Sequence, residues 1–200
     1  MTDPHWRARP PKGCSAAQLA WLGDHASLTA RLRRLGAVAV AVQREGVSAP
    51  LVDEWAALGV AAGAPLWCRE VLLRVDGVAC VYARSVTPLG ASHRAWRAIR
   101  ALGTRPLAEL LYASADVSRS GLASWVVTPA HPLYCRMRRH VPDRLPHAIL
   151  ARRSVFYRHA APLLVTECLL PPLWRVEMVP HREQNWALES LDNFPVSQLK

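Results

Sequence analysis

Two hundred residues, half of them apolar and a fifth charged, are enough for one domain with a core of its own and exclude a disordered chain. The formal charge of +10 is carried mostly by arginine and suits nucleic acid, an acidic membrane surface or a small polyanionic ligand equally well. Cys14, Cys68, Cys80, Cys135 and Cys168 are widely spaced without a CxxC pair, which argues against a disulfide framework or a zinc knuckle and fits reduced thiols in a cytosolic protein. The opening MTDPHWRARPPKG has no apolar segment behind its arginines, so no signal peptide is expected, and no apolar run is long enough to span a bilayer.

In chain order, residues 1–14 are polar and proline-containing and are expected to be flexible. Leu28, Leu32 and Leu35 then fall at i, i+4 and i+7, which predicts a helix with Ser27 as N-cap and Gly36 as its stop. AVAVAVQRE alternates as a strand. From Leu66, two alternating runs are joined by Asp76-Gly77, a dipeptide that predicts a hairpin with a type I′ turn. SHRAWRAIRALG predicts a basic amphipathic helix over 92–103. TRPLAELLYASA predicts a second, with Thr104 as cap and a proline in its first turn. SWVVT is strand-like, whereas HPLYCRMRRHVPDRLPHA mixes prolines with basic residues and reads as a surface loop or insertion. A last hairpin joins RRSVFYRH to PLLVTECLL through a turn around 160–162, and the tail beyond Pro171 has little periodicity. Hairpin links without regular βαβ alternation indicate an α+β fold, an antiparallel sheet with helices on one face.

Two strands carry a charge where an apolar residue is expected. In PLLVTECLLP, alternation puts Glu167 on one face with Leu163, Val165 and Leu169; in LWCREVLLRV it puts Arg69 with Trp67, Val71, Leu73 and Val75, and Cys68, Glu70, Leu72 and Arg74 on the other face. Buried charges need partners. Arg69 and Glu167 are therefore the two halves of a site, a structural ion pair, or charges at edge positions that reach water. The remaining residues are bland: the histidines show no HExxH spacing, Ser118, Ser120 and Ser124 lack a GxSxG context, and Gly-rich phosphate loops are absent. The arginine runs RLRR, RMRR and ARRS match no nucleic-acid reader and read as solvated faces.

The stretches LWCREVLLRVDG, RSVTP, LGTRPLAELLY and RRSVFYRHAAPLLVTECLLP, and more loosely LAWLGDHASLTARL and QREG, stand in the order and near the spacing of the chorismate pyruvate-lyase family. The chain resembles that family from about Ser15 to Pro171. The resemblance implies an internal ligand cavity beneath helical flaps, no cofactor and no metal, and conversion of chorismate to 4-hydroxybenzoate and pyruvate on the way to ubiquinone. Matched motif by motif, it implies that Arg69 and Glu167 are the catalytic pair and bind the ligand. Backbone amides near Leu107, in TRPL, and Leu28, in ASLT where other members have methionine, complete the implied contacts. Chorismate carries two carboxylates, which suits a fixed guanidinium. For Glu167 three roles stay open: accepting the ring proton, donating to the departing fragment, or holding the ring hydroxyl. Burial would raise its pKa and Arg69 nearby would lower it.

The resemblance frames a domain over 15–171 with an extension over 172–200. The basic region 117–147 is longer than the family pattern. Chorismate and 4-hydroxybenzoate are the expected partners, with no nucleic acid and no integral membrane segment, and the protein is expected to be a cytoplasmic monomer. The alternative is a non-catalytic binding module for aromatic acids, akin to effector domains of transcription regulators. No helix-turn-helix segment precedes the sheet, and both charged motifs are intact, which favours the lyase.

Overall fold

The computed structural model describes residues 5–141 and 144–178. Ser15 opens α1 (Ala16–Gly23) through a capping box with Gln18, and Ser27 caps α2 (Leu28–Arg33) as its spacing predicts. β1 (Val38–Ser48) and α3 (Glu54–Leu58) follow, then the hairpin β2 (Leu66–Val75) and β3 (Val78–Pro88). Asp76 and Gly77 have φ of 47° and 82°, the I′ geometry expected of that dipeptide. The Asp76 carboxylate also accepts the Ala37 N–H at 2.9 Å. A Cβ on Gly36 would collide with that carboxylate, so glycine is required there by close approach rather than by the end of a helix.

The basic helix expected over 92–103 is broken. α4 (Leu89–Ser92) is one turn long, and a 3-10 helix occupies Arg97–Ala101. Trp96, Ile99 and Leu102 are buried, a period of three that suits 3-10 winding, in which side chains three apart eclipse. α5 (Leu107–Tyr112) begins after Pro106, with no side-chain cap, rather than at Thr104. After β4 (Val117–Arg119) and β5 (Ala123–Val127), the stretch read as a loop contains α6 (Pro132–Arg138), whose N-cap His131 accepts the Leu133 N–H. Its apolar face, Leu133, Tyr134 and Met137, is buried. The last hairpin, β6 (Ile149–Arg158) and β7 (Ala161–Leu169), turns at His159 and Ala160, with φ of 48° and 61°, earlier than expected. α7 (Pro171–Met178) closes the described chain, and Leu173, beyond the boundary expected at Pro171, is fully buried. Residues 179–200 of the expected extension lie outside the described residues.

The strands form one seven-stranded antiparallel sheet in the order β1-β2-β3-β7-β6-β4, with β5 pairing β6 as well, the expected α+β architecture. On one face, Val71, Leu73 and Ala83 pack against Trp21, Leu28 and Leu32, and Phe156 and Val165 pack against Ile99 and Leu111. Two further helices cover the reverse face: α6 packs on Leu72, Tyr82 and Cys168, and α3 on Cys68 and Leu164. Trp6, in the segment expected to be flexible, is buried in the α6 cluster, and Arg7 forms a backbone bridge to Ser124.

Among the described residues, the charges buried on the reverse face are paired. Arg84 donates to Glu54 Oε1 at 2.6 Å and to Glu70 Oε1 at 2.5 Å. Nearby, Asp53 accepts from Arg153 at 2.6 Å and from the Trp6 indole N–H at 2.8 Å. Burial pushes the Asp53 carboxyl up, but His131, Arg153 and Trp6 together hold it down at about 2. Its folded pKa lies below its unfolded one, so the stabilisation is complete above about pH 4 and is lost as the pH falls through about 2. Asp53→Asn is expected to cost about 2 kcal/mol at neutral pH in urea unfolding and progressively less in acid; a loss of the same size at every pH would mean that the charge plays no part.

Candidate active site

Strand register decides which charged side chains meet, because residues directly opposite on neighbouring strands share a face. The β1–β2 register sets Glu45 opposite Arg69, and the β6–β7 register sets Arg152 opposite Glu167. Both pairs form ion bridges on the helix-covered face described first. Arg69, 2% exposed, is bridged to Glu45, and its Nη2 donates to the carbonyls of Gly103 at 2.8 Å and Arg105 at 3.3 Å. Arg152, 1% exposed, donates from Nε to Glu167 Oε2 at 2.7 Å and from Nη1 to the carbonyls of Trp21 and Asp24, each at 2.7 Å. The carbonyls come from the loop that leads into α5 and from the C-terminal end of α1. Each arginine thus ties the sheet to one of the two helical segments above it.

Beneath those segments lies a pocket lined by Arg69, Glu167, Leu28 and Leu107 together, the four residues to which the motifs point. Leu28 and Leu107 are the first residues of α2 and α5, positions whose N–H groups have no acceptor within the helix. Arg69 and Glu167 are not each other's partner: two separate pairs replace the single ion pair considered from sequence. Val71, Leu73, Val165 and Phe156 supply apolar walls, and the free space between the walls is about 50 Å³, room for a few water molecules. Tyr112 stands at the rim, half exposed. Burial pushes its phenol up, against the pull of Arg119 and with the charge of Glu167.

Sequence reasoning misses three functional candidates. Glu45 lies in the loosely matched QREG, Arg152 sits in the run ARRS that reads as a solvated face, and Arg119 lies in the basic region 117–147 without a role assigned to it. Only the register separates Arg152, which lines the pocket, from Arg153, which pairs with Asp53 on the reverse face. Three guanidiniums, Arg69, Arg119 and Arg152, and one carboxylate, Glu167, line the pocket. That surplus of positive charge between apolar walls suits an anionic ligand. Among the described residues no group of three or more His, Cys, Asp or Glu side chains is placed to hold a metal ion.

The chorismate lyase family model matches residues 7–179. The chain belongs to the chorismate lyase family. It is similar to a Bordetella avium protein named "Probable chorismate pyruvate-lyase", 46% identical over 170 residues that make up 85% of each chain. A Thiobacillus denitrificans protein of the same name is 46% identical over 154 residues, 76% of this chain and 82% of that one. Among solved structures, the PhnF C-terminal domain superposes with a TM-score of 0.52 at 16% identity over 70% of this chain and 87% of that one, a likeness of fold alone. Membership of the family makes this lyase an enzyme that cleaves a carbon–oxygen bond in a small molecule. Among the described residues no helix is long and apolar enough to cross a membrane.

Arg152 offers a direct test of how the pocket is held. Removing one member of a buried ion pair strands the other, at a cost of about 3–5 kcal/mol. Arg152→Met is expected to lose that much in chemical unfolding, and the double variant Arg152→Met with Glu167→Met to recover part of it. Equal losses in the single and double variants would mean that the tie to the Trp21 and Asp24 carbonyls carries the whole effect.

Proposed function

We propose that the protein converts chorismate to 4-hydroxybenzoate and pyruvate, without cofactor or metal, as the step that commits chorismate to ubiquinone. The observation that carries this reading is the convergence of the four motif residues on one cationic, apolar-walled pocket in a chain of the chorismate lyase family. Arg69 takes the ring carboxylate, with the free N–H groups at Leu28 and Leu107 as further donors to it. Glu167 has Oε2 occupied by Arg152, which leaves Oε1 for the substrate. An acceptor oxygen in that position suits the first of the three roles considered for it. Glu167 receives the proton from the ring carbon that bears the hydroxyl, the carbon–oxygen bond to the enolpyruvyl arm breaks, and the ring becomes aromatic.

The product is downhill in energy, so the protein's task is to orient the substrate, receive one proton and exclude water. Chorismate is larger than the free space between the walls. Its admission therefore requires the segments bearing α1, α2 and α5 to lift, in the manner of flaps. We further take the protein to act as a monomer in the cytoplasm, where its five free cysteines stay reduced.

The test is to mix the purified protein with chorismate, with no added metal, and follow both products by chromatography against a control without enzyme. Equal amounts of 4-hydroxybenzoate and pyruvate are expected. Glu167→Gln should cut turnover by about 10²- to 10⁴-fold while changing product affinity far less. Arg69→Ala should weaken substrate and product alike, because both carry the ring carboxylate. Tight binding of 4-hydroxybenzoate without turnover of chorismate would replace the lyase with a ligand-sensing module.

A further inference from the structure

Of the three guanidiniums that line the pocket, two are answered by carboxylates: Arg69 by Glu45 and Arg152 by Glu167. Arg119, on β4, meets no carboxylate among the described residues, and all its hydrogen-bond partners are uncharged. Its Nε donates to Ser154 Oγ at 2.8 Å, and its Nη1 donates to the His25 carbonyl at 2.7 Å and to the Tyr112 hydroxyl at 3.1 Å. The guanidinium also stands 5.0 Å from the centre of the Phe156 ring. Neighbours from β6, α5 and the α1–α2 loop therefore fix its orientation and leave its charge uncompensated. A half-buried cation held this way favours an anion beside it.

We propose, resting on the lyase reading above, that Arg119 is the subsite for the second carboxylate of the substrate, the one on the enolpyruvyl arm, which the aromatic product lacks. Arg69 belongs to the buried wall and holds the ring end. Arg119 belongs to the rim beside Tyr112 and holds the arm. When the carbon–oxygen bond breaks, its electron pair stays with the oxygen and the arm departs as the enolate of pyruvate. The ring proton passes to Glu167, and the enolate takes up one proton at its methylene carbon to become pyruvate, so protons balance over the cycle. The fixed charge of Arg119 stabilises the arm as negative charge grows on it. Pyruvate, released at the rim, leaves before 4-hydroxybenzoate.

The test compares two ligands that differ in that carboxylate. In a Glu167→Gln background, where turnover is slow enough to measure binding, Arg119→Gln is expected to weaken chorismate by about 10- to 100-fold and 4-hydroxybenzoate by less than about twofold. Arg119→Lys keeps the charge without the planar fork and should recover part of the loss. With Glu167 intact, Arg119→Gln should raise KM for chorismate and lower kcat while inhibition by 4-hydroxybenzoate stays unchanged. Parallel losses for both ligands, or no loss for either, overturn the proposal, and the ratio of affinities within each folded variant is independent of that variant's stability. Failure of the lyase reading shows separately, as wild-type protein that releases no pyruvate from chorismate.

Discussion

A guanidinium inside a protein needs its charge and its N–H groups answered, and that requirement organises this molecule. Arg152 takes a carboxylate from the next strand and two carbonyls from the end of α1. The last carbonyls of a helix have no partner of their own, and a cation is favoured beside them. α1 has eight residues, too few to persist unaided in water, so the arginine beneath it is part of what makes it a helix. Arg69 does the same for the loop that leads into α5. The sheet presents charge, the segments above it present backbone, and the pocket is the space they enclose.

The two faces of the sheet solve the burial of charge differently. On the reverse face Arg84 lies between Glu54 and Glu70, with His140 and Arg136 within 4 Å of Glu70, and the network closes on itself. On the pocket face the positive groups outnumber the negative. The chain's +10 charge therefore says little about function until it is resolved by face: most of it is spread over solvent-exposed or paired arginines, and the part that matters is one surplus within a cavity.

Much of this is legible in the sequence because alternation is a strict rule. It places Arg69 and Glu167 on apolar faces, and the Asp76-Gly77 turn sets the register of their strands' neighbours. Arg152 is not legible, for a reason that can be located. A turn centred on residue 161 would set Val155 opposite Glu167, whereas the actual turn at His159 and Ala160 sets Arg152 there. Alanine disfavours positive φ, at a cost of roughly 1–2 kcal/mol, and histidine, though commoner there than most residues, is a far weaker turn signal than Asp-Gly; the pairing of β6 with β7 fixes the turn. α6 is hidden in the same way, its apolar face scattered among prolines and arginines that suggest a loop. The 3-10 segment shows the opposite error, a basic apolar pattern read at a period of 3.6 when Trp96, Ile99 and Leu102 repeat at three.

The narrowness of the pocket bears on affinity as well as on access. With about 50 Å³ free, the proposed entry of chorismate implies an equilibrium between the shape described and a more open one. Apparent affinity is then the intrinsic affinity reduced by the fraction of molecules that are open. On that reading Arg152, held by Glu167 and by the carbonyls at the end of α1, can tune how tightly the ligand is held through the tie it makes to the segment above the pocket.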